Sequence, residues 1–352
     1  MRILQSLFES VSRILARSIR GLIEFLGISD RKMEILTGGE FVSHESFENL
    51  SKYSEASAQT SQHPRDDIRE QMNFPERYLY KIHNVSLDSL TGTIFTAKGK
   101  IVPESSTWPR AHLLLNSPPK PIFPKKTVFP PEVTVLHLPS NGFFHWLFED
   151  LPPYLFALEA SKNPVTLVND SAPNFVQGLL PLISGKIIRV PRFVSTRSLT
   201  FVSKGPNTGW PDPADLKTIN RFFAKHIQST IPTKKLYVSR VKASRSPNFE
   251  KELIRKLSSA GWLILEAEST SLINQIETIS TAAVFCGVHG AGLSGIAWMA
   301  PGTTMIELSP KRLIPCFSRI CNNTGKFYFR IPYEEQSLGV DEIFWKIQSI
   351  AG

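Results

Sequence analysis

KKLYVSR (234–240), NFEKELIRKLSSAG (248–261), WLILEA (262–267), SLINQIETISTA (271–282), AVFCGV (283–288), AGLSGIAWM (291–299) and TTMIELS (303–309) follow one another along the chain. The first, third, fifth and seventh are short runs of apolar and β-branched residues, the mark of buried strands. The others carry apolar residues at helical spacing, and Gly261 stands where a helix C-cap is expected. Strand and helix alternate throughout, which predicts a parallel sheet with helices on both faces. In such a sheet a ligand binds outside the carboxyl ends of the strands.

Those strand ends carry a distinctive set of side chains. Arg240 and Arg245 follow the first strand and Glu268 the second; His289, Gly290, Ala291 and Gly292 follow the third, and Glu307 lies near the end of the fourth. Arginine grips phosphate oxygens bidentately, bare glycine amides at the start of a helix approach a phosphate closely, and a neighbouring carboxylate accepts from ribose hydroxyls. The set fits a nucleoside diphosphate. GVHGAG (287–292) does not fit G-x-G-x-x-G, which weakens a nicotinamide reading, and the serine of GLSGIA (292–297) misses the nucleophile elbow of a hydrolase.

The rest of the chain is less regular. RYLYKIHNVSLDSLTGTIFTAKGKIV (77–102) alternates with Gly and Asp breaks and predicts antiparallel strands. NSPPKPIFPKKTVFPPEV (116–133) is an extended proline-rich connector. Residues from about 40 to 75 are rich in Ser, Glu, Gln and His and read as a solvated linker. The first 26 residues form a basic amphipathic helix, with Arg2, Arg13, Arg17 and Arg20 between its apolar positions. Such a helix lies in an anionic membrane interface or packs on protein, and the sequence leaves both open. Its interleaved charges deny a signal peptide, and no stretch approaches the ~20 apolar residues of a spanning helix. Asn84, Asn169 and Asn322 therefore count as chance glycosylation sequons.

With 352 residues, 41% hydrophobic and 20% charged, the chain is globular and long enough for two domains. A net charge of +9 points to an anionic partner without choosing one. Three cysteines, Cys286, Cys316 and Cys321, are too few for a disulfide scaffold, and the last two lack companion zinc ligands.

One further segment carries chemistry. NGFFHWLFEDLPPYL (141–155) follows the strand VTVLHL (133–138) and predicts a short helix. His145 and Glu149, four apart, share one face of it, as a base and its orienting partner would. Asp150 turns about 100° away and is expected to cap or solvate the helix. The alternative is that His145 and Trp146 simply pack in the interior.

The residues from LYVSR (236–240) to ELSP (307–310), with FFHWLFEDLPPYL (143–155), resemble glycosyltransferase family 61 over about residues 76 to 345. The shared signatures are the Tyr-Val-Ser-Arg strand with a second arginine, the Gln-Ile helix, His-Gly-Ala-Gly-Leu, and the Pro-Gly-Thr turn before an acidic strand. Three departures stand out. NFE occurs where Asn-Glu is frequent, LPPY occurs where Leu-Pro-Arg is common, and Gly295 takes the place of an asparagine. They bear on sugar and acceptor preference more than on fold.

The resemblance implies a GT-B fold, two Rossmann-like domains facing across a cleft. The expected division is a helix and linker over 1–75, an acceptor-side domain over 76–228 and a nucleotide-sugar-binding domain over 229–352. The final helix, VDEIFWKIQSI (340–350), is expected to pack back towards the first domain. The implied activity is inverting transfer from a nucleotide sugar, usually UDP-linked, to a hydroxyl of a glycan or other acceptor in surface polysaccharide biosynthesis. Arg240, Arg245, Glu268, His289, Gly290, Ala291, Gly292 and Glu307 form the donor side; His145, Glu149 and Asp150 are the catalytic candidates. No metal or other cofactor is expected, since no Asp-x-Asp occurs. The anionic partner is then the nucleotide sugar rather than a nucleic acid, and the expected location is cytoplasmic, with peripheral contact at the inner membrane face if the basic helix binds lipid. The competing reading is a catalytically silent nucleotide-sugar binder or scaffold of an envelope assembly complex, which would have no need of the His145–Asp150 segment.

Overall fold

In the computed structural model the described residues are 47–62, 69–107, 129–130, 132–139, 142–205, 208–228, 230–243, 246–310, 314–333 and 339–352. The basic helix expected over 1–26 and most of the proline-rich connector lie outside them. The stretch expected to be a linker contains three strands, β1 (Glu48–Ser54), β2 (Ser57–Gln62) and β3 (Arg69–Phe74). β2 and β3 pair as an antiparallel hairpin, while β1 pairs with β4 (Arg77–Asp88). β1 is exposed along most of its length and needs few apolar residues, which is why its composition reads as linker.

β4 is the spine of an antiparallel sheet. It pairs with β1 and with β5 (Ile94–Thr96), which continues to β6 (Ile101–Val102). The alternation seen in 77–102 is therefore this sheet. β7 (Thr134–Leu138) then leads into α1 (Phe143–His145), a single π-helical turn (Trp146–Asp150) and α2 (Leu151–Glu159). β8 (Pro164–Asn169), α3 (Asn174–Leu179) and β9 (Lys186–Val190) follow, and β7, β8 and β9 form a three-stranded parallel sheet. β10 (Phe193–Val202) returns to pair antiparallel with β4, and α4 (Pro213–Phe223) is capped by Asp212, which accepts from the Ala214 amide at 2.8 Å.

The later residues alternate as the sequence predicts: β11 (Lys234–Val238), α5 (Glu250–Ser259), β12 (Leu263–Leu265), α6 (Leu272–Ser280) and β13 (Ala282–Val288). Gly261 adopts φ +81° just past α5, the left-handed conformation that closes a helix. The glycine-rich stretch forms a 3-10 helix (Ala291–Trp298) and leads to β14 (Thr304–Ser309). Beyond the last expected strand come α7 (Cys316–Asn323), a fifth strand β15 (Phe327–Pro332) and α8 (Val340–Ala351). The parallel order is β12-β11-β13-β14-β15, that is 2-1-3-4-5, with the topological switch point between β11 and β13.

Two apolar cores cover the faces of this sheet. One contains Val238, Phe285, Trp298 and Phe317 and is continuous with Leu136, Trp146, Leu155 and Phe223 of the earlier elements. The other joins Tyr237, Leu253, Leu257 and Val288 to Ile343 and Ile347 of α8. α8 thus packs on α5 and on its own sheet, not back towards the first half as expected. Its buried stripe is apolar enough to seal that face, and the sheet is where an uncovered face lies nearest. All three cysteines are buried free thiols. Among the described residues no helix is long and apolar enough to cross a membrane.

Candidate active site

Two groups of polar side chains lie close to Phe317 of α7. The first sits on the segment after β7. His145 Nδ1 lies 3.0 Å from Glu149 Oε2, the i,i+4 contact expected from spacing. Glu149 is 5% exposed, and its oxygens also accept from the Thr107 hydroxyl at 2.6 Å, the Thr208 hydroxyl at 3.0 Å and the Gly209 amide at 2.9 Å. Burial pushes the Glu149 carboxyl up, but His145, Thr107 and Gly209 outweigh it and leave its pKa below the usual value. Burial opposes charge on His145, yet the hydrogen bond and field of Glu149 prevail and hold the imidazole above its ordinary 6.5. With Nδ1 facing the carboxylate, the neutral ring carries its proton there and its basic lone pair on Nε2.

Asp150 does not cap or solvate the helix. It is 3% exposed and pairs with the partly buried Lys204. The π-helical turn rotates residues 146–150 relative to an α-helix, so Asp150 faces the interior rather than water.

The second group lies at the switch point. Val238 of β11 is in register with Gly287 of β13, so Arg240 and His289 leave the sheet side by side, and the Arg240 guanidinium donates to the His289 carbonyl. A Cβ added to Gly290 would stand 2.7 Å from the Arg240 guanidinium carbon. The glycine therefore makes room for an arginine lying across the turn. Gly287 and Gly292 pack against Val238, where an added Cβ would come to 2.6 Å and 3.0 Å of its methyls, and at Gly295 it would come to 2.4 Å of Ile279 Cδ1. The start of the 3-10 helix places the Ala291 and Gly292 amides outside its internal hydrogen-bond ladder, available to an anion.

His289 is fixed by its own carboxylate. Its Nδ1 contacts Glu307 Oε1 at 2.5 Å, and its amide donates to the Leu308 carbonyl at 2.7 Å. Glu307 is fully buried, and its Oε2 accepts from the Tyr328 hydroxyl at 2.7 Å. Both oxygens are engaged within the protein, and Glu307 stands behind His289. Glu268 is exposed in the turn after the edge strand β12, and the carboxylate that reaches a cation there is Glu266, 2.6 Å from Lys242. Arg245 lies outside the described residues.

A residue the sequence reading did not assign organises the arginine loop. Glu250, fully buried at the start of α5, accepts from the Arg240 amide at 2.7 Å, the Tyr237 hydroxyl at 3.1 Å and the Ser246 hydroxyl at 2.6 Å. Its sign in the sequence is the NFE triplet (248–250), a departure from the family pattern.

The two groups meet through Phe317 of α7. Its ring packs edge-on to Phe144 at 5.6 Å and to His289 at 5.7 Å. Nearby, the Arg319 guanidinium lies 4.3 Å from the Trp210 ring centroid. The site can take a proton at one end and hold an anion at the other. Residues 143–306 match the family model described as Glycosyltransferase 61, a span that holds both His145 and His289. No curated protein matches the chain.

Proposed function

We propose that this chain, which belongs to glycosyltransferase family 61 through residues 143–306, moves a sugar from a nucleoside diphosphate, by preference UDP, to a hydroxyl of a glycan acceptor with inversion at the anomeric carbon. The observation that carries this reading is that Phe317 packs against both His289, beside Arg240 at the strand ends, and Phe144, the neighbour of the His145–Glu149 pair. The parallel sheet in 2-1-3-4-5 order and the separate β7-β8-β9 sheet support a GT-B arrangement, with the donor at the switch point.

In this reading the acceptor oxygen attacks the anomeric carbon from the face opposite the diphosphate. The carbon–oxygen bond to the phosphate breaks, its electron pair leaves with UDP, and the hydroxyl proton passes to His145 Nε2. Glu149 holds the ring in the tautomer that can accept it. Arg240 and the Ala291 and Gly292 amides stabilise the leaving diphosphate, while Glu250 presets the loop that carries Arg240. A role in surface polysaccharide assembly is consistent with this chemistry and with a glycan acceptor.

The test is nucleotide binding by Arg240→Ala. A charge-assisted bond contributes about 1.5–3 kcal/mol, so UDP affinity should fall roughly ten- to a hundred-fold by calorimetry. Unchanged affinity in a folded variant would remove Arg240 from the site and the switch point from the reading.

A further inference from the structure

We propose that Tyr328 is a positioning residue of this site: by donating to Glu307 Oε2 it fixes the carboxylate whose Oε1 holds His289 Nδ1, and so keeps the imidazole with Nε2 towards the donor. The proposal rests on the donor reading given above. Tyr328 stands on β15, outside the matched span 143–306, and twenty-one residues separate it from its partner.

The geometry carries the argument. Glu307 lies on β14 with no exposed surface. A carboxylate buried that completely must have its lone pairs satisfied, and its plane can twist off the imidazole about the terminal torsion unless something pins the second oxygen. The Tyr328 hydroxyl pins Oε2 at 2.7 Å, leaving Oε1 directed at His289 Nδ1. Burial, followed by the field of Glu307 itself, raises the Tyr328 pKa and keeps the hydroxyl a donor. Parallel pairing of β14 and β15, with Met305 opposite Tyr328 and Glu307 opposite Arg330, fixes the offset across which the hydroxyl reaches. On the other side the Arg240 guanidinium holds the His289 carbonyl and Phe317 packs edge-on to the ring. The imidazole keeps about 20% of its side-chain surface exposed, so a ring held this way presents one nitrogen outward.

The experiment reads the His289 tautomer by ¹⁵N NMR of the ligand-free full chain, with the signal assigned by its loss in His289→Gln. In the unaltered protein the Nδ1–H form should dominate by about tenfold, the ratio one charged hydrogen bond sustains. In Glu307→Gln, Tyr328 should hold the new amide's oxygen and turn its NH₂ to the ring, forcing the opposite, Nε2–H tautomer. Adding Tyr328→Phe to that variant frees the amide to rotate and should return a substantial Nδ1–H fraction. If Glu307→Gln keeps the Nδ1–H form, or if the double variant matches the single one, Tyr328 does not orient the carboxylate and the proposal fails. The Glu307→Gln arm stands even if the Tyr328 variants do not fold. No nucleotide is in the sample, so the outcome judges Tyr328 independently of whether UDP is the donor; a separate UDP titration of the unaltered protein judges that.

Discussion

Glycine is the residue on which this site is built, and for reasons of packing more than of phosphate binding. At Gly287 a methyl group would meet Val238 Cγ1 at 2.6 Å, Leu293 Cδ2 at 3.0 Å and the Val238 carbonyl at 3.1 Å. Val238 is β-branched and fully packed, so neither it nor the carbonyl can yield cheaply. Gly287→Ala should therefore cost about 1–3 kcal/mol by urea denaturation, the usual range for overpacking a core. Gly339, with φ −66° and open space around its Cβ position, should tolerate alanine within about 0.5 kcal/mol. Equal stabilities of the two variants would refute the packing account. The residues that end strands were legible in the sequence, because strand ends are where ligands bind: Arg240, His289 and Gly290 all stand at the switch point. Glu250 and Tyr328 were not, since each acts through a partner brought near only by the fold, and no local spacing announces them.

At the scale of the element, the segment from Phe143 to Glu159 shows what periodicity conveys and what it does not. The i,i+4 relation of His145 and Glu149 survives in the structure, whereas the π-helical turn that buries Asp150 against Lys204 has no signature in a pattern of apolar residues. β15, FYFRIP, carries aromatic strand formers with Phe327 and Phe329 exposed at the edge of the sheet, but no alternation of apolar and polar residues marks it. In the proposed reaction the pH dependence follows from the His145–Glu149 pair. His145 must be neutral to accept a proton, and its pKa is raised above 6.5, so kcat/KM should fall as pH drops through a midpoint above that value. Glu149→Gln removes the two largest raising influences and leaves burial and the Lys204 charge opposed only by the field of Asp150. The His145 midpoint, followed by NMR or by residual turnover, should then move down. His145→Ala, with UDP binding intact, should lose roughly 10²–10⁴-fold in turnover. Near-normal turnover there, or an acid limb indifferent to Glu149→Gln, would place the base elsewhere.

In the proposed reaction the molecule as a whole must balance the charge that develops on a departing nucleoside diphosphate. Metal-using sites of this kind offer free carboxylate oxygens beside the phosphates. Here the carboxylates nearest the proposed reaction are already engaged: Glu149 with His145, Thr107, Thr208 and Gly209, Glu250 with the arginine loop, Glu307 with His289 and Tyr328, and Asp150 with Lys204. Among the described residues no group of three His, Cys, Asp or Glu side chains is arranged to hold a metal ion, and the chain contains no Asp-x-Asp. Its net charge of +9 and the Arg240 guanidinium point the same way, towards fixed cations and oriented amides as the counter-charge. Turnover with a nucleotide-sugar donor should then persist within about twofold in excess EDTA, because preorganised donors need no exchangeable ion. Arg240→Ala should fail to recover activity when Mn²⁺ is added, since among the described residues no open oxygen cluster is arranged to receive it. Loss of activity in EDTA with restoration by Mn²⁺ would mean that one of these carboxylates exchanges its present partners for a metal when the donor binds.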